Sequence, residues 1–324
     1  MVTAVRVHAF GGPDVLVPEK LDVAAPGAGE VRLRQTACGV NFIDIYFRSG
    51  LNRPPALPFI PGNEAAGVVI AVGEGVTTLA PGDRVAYSAP LGGYAAERLM
   101  PAHQLVRIPD GISDEVAAAV LLKGTTAFYL LTETFRVEPG MRVLVQAAAG
   151  GVGLLLCQWA AHRGAWVIGT VGSREKAQLA RDHGCHEIIL YREEDFAERV
   201  RALTAGRLCD VAYDGVGQAT FPAVLDCLRP RGVLASFGAA SGPIRDLEVN
   251  MLAQKGSLYV TRPTGAHYLG TRHELERAAQ AVFEAVRHGV LRVEISARYP
   301  LAAAASAHRD LESRATTGSL LLIP

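Results

Sequence analysis

The stretch Arg142 to Ala161 constrains the fold more than any other. Val143 to Val145 read as a fully buried strand, and Val152, Leu155, Leu156 and Trp159 fall at helical spacing on one face of a following helix. Between them runs Ala147-Ala148-Ala149-Gly150-Gly151-Val152-Gly153. Its glycines let the backbone come close to a phosphate, and the helix N-terminus behind them offers free N–H groups and a positive dipole end. The pattern is Ala148-x-Gly150-x-x-Gly153, with alanine where the first glycine of a dinucleotide fingerprint usually stands. Alone, such a run is also a Gly-rich turn of any α/β protein. The next strand, Trp166 to Val171, follows at βαβ distance and makes Ala148, Ala149, Gly150, Gly151, Val152 and Gly153 candidate pyrophosphate contacts. No charged residue falls between Val143 and Ala161, a length close to the roughly 20 residues of a membrane span. The glycine cluster in its middle, with Gln146 and Gln158, argues instead for a buried strand, turn and helix.

At 324 residues the chain has room for two domains at roughly 150 residues each. In the first 120 residues short strand patterns alternate with Gly/Pro punctuation: Thr3 to Phe10, Val31 to Ala37, Glu64 to Val72, Arg84 to Ala86 and Ala95 to Leu99. This predicts a compact, mostly antiparallel β-rich domain. From Asp114 the texture changes. Ser113 to Leu131 reads as a helix capped by Ser113 or Asp114, and strands at Glu187 to Leu190, Val211 to Asp214 and Val233 to Phe237 then alternate with helices. That rhythm predicts an α/β, doubly wound parallel sheet, which Ser257 to Thr261 would close or edge. The tail, with a helix from Thr271 to His288, an Ala-rich helix from Leu301 and a strand Ser319 to Ile323, is expected to pack back on the first domain.

Composition excludes several functions. Thirty-two basic residues balance thirty-two acidic ones, so no global field draws the chain to nucleic acid or to a membrane surface. Arg6 and His8 interrupt the apolar runs of the N-terminus, so no secretory h-region is expected there. The five cysteines are scattered without a Cys-x-x-Cys pair, which suits buried thiols in a reducing cytoplasm.

Ligands lie beyond the carboxyl ends of such a sheet, so the loops there carry the next signal. After Val171, Gly172 stands where an NAD enzyme places an acid for the ribose 2′-OH, while Ser173, Arg174 and Lys176 could serve a 2′-phosphate. This favours NADPH, although Arg174 and Lys176 could equally be solvated charges opening a surface helix. Tyr191, at the end of the next strand, could stack near an adenine. Val216, in Asp214-Gly215-Val216-Gly217, and Phe237, Gly238 and Ser241, in Phe237 to Gly242, belong to small-residue loops that would let a nicotinamide approach the backbone. Plain turn chemistry would give the same pattern.

Four spaced segments carry a resemblance: Asn41-Phe42-Ile43-Asp44-x-Tyr46-x-Arg48-Ser49-Gly50, Pro61-Gly62-Asn63-Glu64-Ala65-Ala66-Gly67, Ala147 to Gly153, and Gly256-Ser257-Leu258-Tyr259-Val260-Thr261-Arg262-Pro263. Together they resemble the quinone oxidoreductases, the zinc-free, zeta-crystallin-like branch of the medium-chain dehydrogenases/reductases, over essentially the whole chain. The resemblance implies a GroES-like catalytic domain, residues 1–122 completed by 264–324, around a Rossmann domain, residues 123–263, with NADPH held in the cleft between them. Zinc-dependent relatives carry a cysteine ligand after a Cys-Gly-Val-like run and a Gly-His-Glu ligand pair. This chain has Cys38-Gly39-Val40-Asn41 and Gly62-Asn63-Glu64, and amides are poor zinc ligands, so no metal site is expected.

Hydride transfer without a Lewis acid suits a quinone, whose reduction leaves a phenolate-like oxygen of pKa near 10 that hydrogen bonds alone can stabilise. Asn41 and Tyr46 are the polar groups expected beside the nicotinamide and the acceptor, with Asp44 and Lys123 positioning them or the ribose. Arg262 and Arg314 are placed near the mouth of the cleft. A reductase of activated C=C bonds (an enal or enone) would use the same cofactor. A non-catalytic, crystallin-like NADPH-binding or RNA-binding protein is the reading from another class, and RNA binding lacks any basic stripe with interleaved aromatics. The resemblance further implies a homodimer joined through the edge strand Ser257 to Thr261.

Overall fold

The computed structural model describes residues 1–324, and the chain divides into two units: Met1–Lys123 with Thr271–Arg287 and Val293–Pro324, and Gly124–Gly270 with His288–Arg292. In the first unit a seven-stranded sheet runs in the order Ile295–Pro300, Ser319–Ile323, Glu30–Val40, Glu64–Val72, Arg84–Tyr87, Val106–Arg107, with Glu97–Pro101 also paired to Glu30–Val40. Val2–Val7 and Leu16–Leu21 form a separate antiparallel ribbon. Along Glu30–Val40 burial first alternates, Val31 and Leu33 facing the core, then becomes continuous from Ala37. The change comes where the strand runs beneath the helix Asp114–Tyr129: Ser319 Oγ, on the neighbouring strand, donates to Ala119 O at 3.0 Å. Val5, Val69, Val85, Met100, Leu320 and Leu322 complete this core.

The second unit is a six-stranded, all-parallel sheet in the order Glu187–Leu190, Trp166–Val171, Arg142–Val145, Cys209–Asp214, Leu228–Ser236, Tyr259–Thr261. The chain starts in the middle, winds outward one way, then returns and winds the other. The switch point therefore lies between Arg142–Val145 and Cys209–Asp214, where such sheets bind their ligands.

Several elements differ from the sequence expectation for identifiable reasons. The final strand starts at Tyr259, because Ser257 turns the chain through a positive φ of 55°. The helix from Asp114, capped by Ser113 Oγ accepting from Val116 N at 3.2 Å, leaves α geometry at Tyr129 and continues as a π-turn, Leu130–Thr134. There the Leu130 carbonyl accepts both Phe135 N at 3.2 Å and the Tyr213 hydroxyl at 3.0 Å. This helix is long and apolar enough to cross a membrane, and 67% of its most apolar window is buried inside the fold, as in a core helix. The helix Phe42–Ser49 and the strand Leu16–Leu21 were not expected: the first is a single short amphipathic stretch, and the second contains Pro18.

Candidate active site

The helix Phe42–Ser49 is short because Gly50 ends it in the left-handed conformation at φ 82°. Its N-cap is Asn41, and its buried face presents Asp44, Ile45 and Arg48 inward. Asp44 is fully buried, and its carboxylate accepts from Asn41 N (2.9 Å), Asn63 N (3.1 Å), Asn63 Nδ2 (3.0 Å) and the Tyr94 hydroxyl (3.0 Å). Burial pushes its pKa up to about 6, against the pull of those donors and of Lys123. The second half of the network centres on Glu64, also fully buried, which accepts from Asn41 Nδ2 (2.9 Å), Lys123 Nζ (2.9 Å) and Leu122 N (2.7 Å). Asn41 thus joins the two carboxylates, its backbone on one and its amide on the other. Asn41 and Asn63 spend amide hydrogens where zinc would need a thiolate and an imidazole, and no group of three or more His, Cys, Asp and Glu side chains converges as a metal site. Cys38 is buried, and burial pushes its thiol up to about 12, an inert core sulfur.

On the far side of Asp44 the polar groups continue. The Tyr94 hydroxyl lies 2.9 Å from His308 Nε2, and Arg48 Nη1 lies 3.1 Å from His308 Nδ1. Arg48 is 2% exposed and pairs with Glu312 through both terminal nitrogens, at 3.1 and 2.5 Å. Burial, reinforced by the Arg48 charge, lowers the His308 pKa from 6.5 to about 3. A histidine with a lowered folded pKa takes up its proton first in the unfolded chain. Its contribution to stability is therefore fully present above about 6.5 and is lost as pH falls below it. Asp44, raised by burial, acts in the opposite sense between about 3.8 and about 6, so comparison with a variant isolates His308. Relative to His308→Gln, the parent should lose about 1.4 kcal/mol of unfolding free energy per pH unit below pH 6. Parallel stability curves for the two proteins between pH 7 and 5 would contradict this.

In the second unit, Ala147 opens the turn after Val145 at a positive φ of 54°, and Gly150 caps the helix Gly151–His162. The first bond of that helix runs from Leu154 N to Gly150 O at 2.9 Å, leaving the N–H groups of Gly151, Val152 and Gly153 to face the sheet's carboxyl end. A Cβ on Gly153 would sit 2.3 Å from Ala147 O, so glycine lets helix and turn close together. A Cβ on Gly172 would meet the Tyr191 hydroxyl at 2.7 Å, the end of an exposed side chain that would have to move aside. Beside it, Ser173 caps the helix Arg174–Asp182, and the half-buried Lys176 is held below the usual lysine range by burial and then by the neighbouring Arg192 charge. Two cations beside a hydroxyl form a seat for a dianion such as a 2′-phosphate. Tyr191 is 41% exposed next to it, while Arg174 turns away to Glu193 at 3.5 Å.

The two loops on the other side of the switch point are tied together. Asp214 accepts from Val216 N (2.7 Å), Gly217 N (3.3 Å) and the Thr220 hydroxyl (2.6 Å), while its carbonyl takes Phe237 N at 2.9 Å. Ser241 Oγ donates to Val216 O at 2.8 Å, so this hydroxyl clamps the loops. Arg262 Nη1 donates to Ser236 O at 2.7 Å, and Arg314 is exposed after the last helix at φ 58°.

Of the residues picked from sequence, Asn41, Asp44 and Lys123 come together in one network, with Lys123 committed to Glu64 at 2.9 Å. Tyr46 is half-buried on the same helix. Ala148 to Gly153, Gly172, Ser173, Lys176 and Tyr191 line the carboxyl ends of adjacent strands, and Val216, Phe237, Gly238 and Ser241 form the tied loops. Sequence reasoning missed Tyr94, His308 and Arg48, whose partners lie up to 264 residues away, and Arg192. For Arg48 and Glu64 a signal existed: they sit in the segments Asn41 to Gly50 and Pro61 to Gly67 that carry the resemblance.

The Zinc-binding dehydrogenase model matches residues 151–284, and the Alcohol dehydrogenase GroES-like domain model matches residues 27–110. A quinone oxidoreductase of Pseudomonas aeruginosa is 50% identical over 100% of both chains. The chain belongs to the quinone oxidoreductase family. Within the wider relationship, a 2-haloacrylate reductase of Burkholderia is 47% identical over 100% of this chain and 99% of its own. The crystal structure of the Escherichia coli quinone oxidoreductase complexed with NADPH covers 99% of this chain and 100% of its own, with a TM-score of 0.98 at 46% identity. Family membership thus covers the GroES-like unit and the Rossmann unit together.

Proposed function

We propose that the chain is an NADPH-dependent, zinc-independent reductase of small quinones. The observation that carries this is Asn41 itself, its backbone N–H held by Asp44 and its side-chain amide by Glu64, at the position of a lost zinc ligand. Bound at Ala148 to Gly153, NADPH supplies a hydride. The chain's residues then bind and orient: the N–H groups of Gly151, Val152 and Gly153 take the pyrophosphate, Lys176, Ser173 and Arg192 the 2′-phosphate, and the tied loops at Val216 and Phe237 the nicotinamide ribose. Asn41 Nδ2, with one hydrogen committed to Glu64, offers its second to the quinone oxygen as charge develops there, and Tyr46 supports the ring. A phenolate-like oxygen needs no more than this, whereas an alkoxide would need a stronger acid. Asn41→Ala and Tyr46→Ala should lower quinone turnover more than Tyr46→Phe, with NADPH affinity kept. Parent turnover in all three would place the acceptor elsewhere.

Cofactor choice follows from the Lys176 seat. Lys176→Ala is expected to weaken NADPH about tenfold or more, the scale of one lost charge-assisted bond, and to leave NADH unchanged. Titration showing equal affinity of the parent for both cofactors would contradict it. We place the enzyme in the cytoplasm, in keeping with five buried free thiols. We also read it as a homodimer through the edge strand Tyr259–Thr261, where Tyr259 is 61% exposed beside β-branched neighbours. Light scattering should give a dimer at micromolar concentration, and a stable monomer would refute that reading.

A further inference from the structure

Arg48, His308, Tyr94 and Asp44 form an unbroken polar chain from Glu312, whose side chain is 35% exposed, to the backbone of Asn41. Its direction is fixed by donor arithmetic. A guanidinium has only donors, so His308 Nδ1 must accept from Arg48. The imidazole is then neutral with its hydrogen on Nε2, which donates to the Tyr94 oxygen. Tyr94 is left with its own hydrogen for Asp44 Oδ2, 3.0 Å away. Each bond therefore sets the next, and the last one orients the carboxylate that holds Asn41 N and Asn63 N.

We propose that His308 is a positioning residue for quinone reduction, fixing the backbone from which the Asn41 side chain projects, through Tyr94 and Asp44. This rests on the reading that Asn41 faces the acceptor. The three residues come from separate parts of the chain: His308 from the helix Ala304–Glu312, Tyr94 from the loop before Glu97–Pro101, and Asp44 from the helix capped by Asn41. All three are buried, so the link is not shared with solvent. Protonating His308 would put a donor where Arg48 also donates, and removing the Tyr94 hydroxyl would take one of four donors from Asp44. The charged and titratable groups around the chain are Arg48 and Glu312 at the outer end, and Lys123, Glu64, Cys38 and Tyr87, whose hydroxyl donates to Gln35, at the inner end. None of these can replace the Tyr94 hydroxyl at Asp44 Oδ2, because Lys123 is committed to Glu64 and Arg48 to Glu312 and His308.

The test is steady-state turnover of the full chain with NADPH and 1,4-benzoquinone across pH, with NADPH affinity measured separately. His308→Leu and Tyr94→Phe should each lower kcat about tenfold, as expected for a misaligned contact, with the NADPH dissociation constant within about twofold of the parent. The double variant should be no slower than the slower single one, because both cut the same chain. His308→Gln, whose amide offers one acceptor and one donor in the same order, should stay within about threefold of the parent. In Tyr94→Phe the acid limb of kcat should move to higher pH, since Asp44 has lost a donor to its ionised form. If Asn41→Ala is impaired while His308→Leu and Tyr94→Phe both keep the parent's kcat and acid limb, the inference is overturned and the reading of Asn41 stands. If Asn41→Ala itself turns over normally, both fall. Should His308→Leu fail to fold, Tyr94→Phe decides alone, because it keeps the ring and removes a single oxygen.

Discussion

Lys123→Met is expected to lower the unfolding free energy by about 3–5 kcal/mol, the usual cost of breaking a buried ion pair from one side. Glu64 has no exposed surface and the Lys123 side chain only 6%, so water cannot solvate the carboxylate left behind. Two donors would remain on Glu64, Asn41 Nδ2 and Leu122 N, and they carry no full charge. Glu64→Gln should cost a similar amount by orphaning the ammonium. The double variant Glu64→Gln with Lys123→Met should be more stable than the sum of the two losses predicts, since neither charge is then stranded. Chemical denaturation measures all three. A loss below about 1 kcal/mol for Lys123→Met would mean that the pair is solvated and is not the anchor of the Asn41 amide.

The second large effect is on cofactor binding. In Gly153→Val the new Cβ would lie 2.3 Å from Ala147 O and 3.0 Å from the Ala148 backbone, so the helix has to back away from the turn. Those obstacles are main-chain atoms that cannot swing aside. The displaced N–H groups of Gly151 and Val152 would lose their aim at the pyrophosphate, and NADPH affinity should fall about a hundredfold, or roughly 3 kcal/mol. Gly150→Ala is a milder change, with its Cβ 3.2 Å from the same carbonyl oxygen. NADPH fluorescence titration of both variants gives the comparison. Parent-like affinity in Gly153→Val would show that the pyrophosphate is not held at this helix end.

Periodicity made the nucleotide-binding sheet legible because each buried parallel strand there is a short continuous apolar run bounded by turns, as in Trp166–Val171 and Glu187–Leu190, whose ends are the expected ones. The glycines after Val145 marked, for the same local reason, the turn we propose for the phosphates. The side we propose for the acceptor was legible only in part. Asn41 and Asp44 stand in one short segment, and asparagines at 41 and 63, where by the resemblance zinc-dependent relatives carry ligands, pointed to hydrogen bonding there. What Asp44 does depends on Tyr94 and His308, which lie 50 and then 214 residues apart, and no pattern in sequence pairs them. Lys123 shows the same limit. Its spacing on an apolar helix allowed a ribose contact or a snorkelling surface lysine, and only the fold brings Glu64, 59 residues earlier, within 2.9 Å. Arg192 escaped notice because an arginine after a strand is usually a solvated charge; the neighbouring Lys176 gives it meaning.

Quinone reduction by NADPH without zinc is decided by NADPH consumption of chelator-treated, metal-analysed protein on addition of 1,4-benzoquinone, beside a 2-alkenal, a primary alcohol with NADP⁺, and no acceptor. The expected result is one hydroquinone formed per NADPH consumed, rates unchanged by the chelator, little turnover of the alcohol, and none without acceptor. Turnover confined to the alkenal, or quinone reduction abolished by removing stoichiometric zinc, would contradict it.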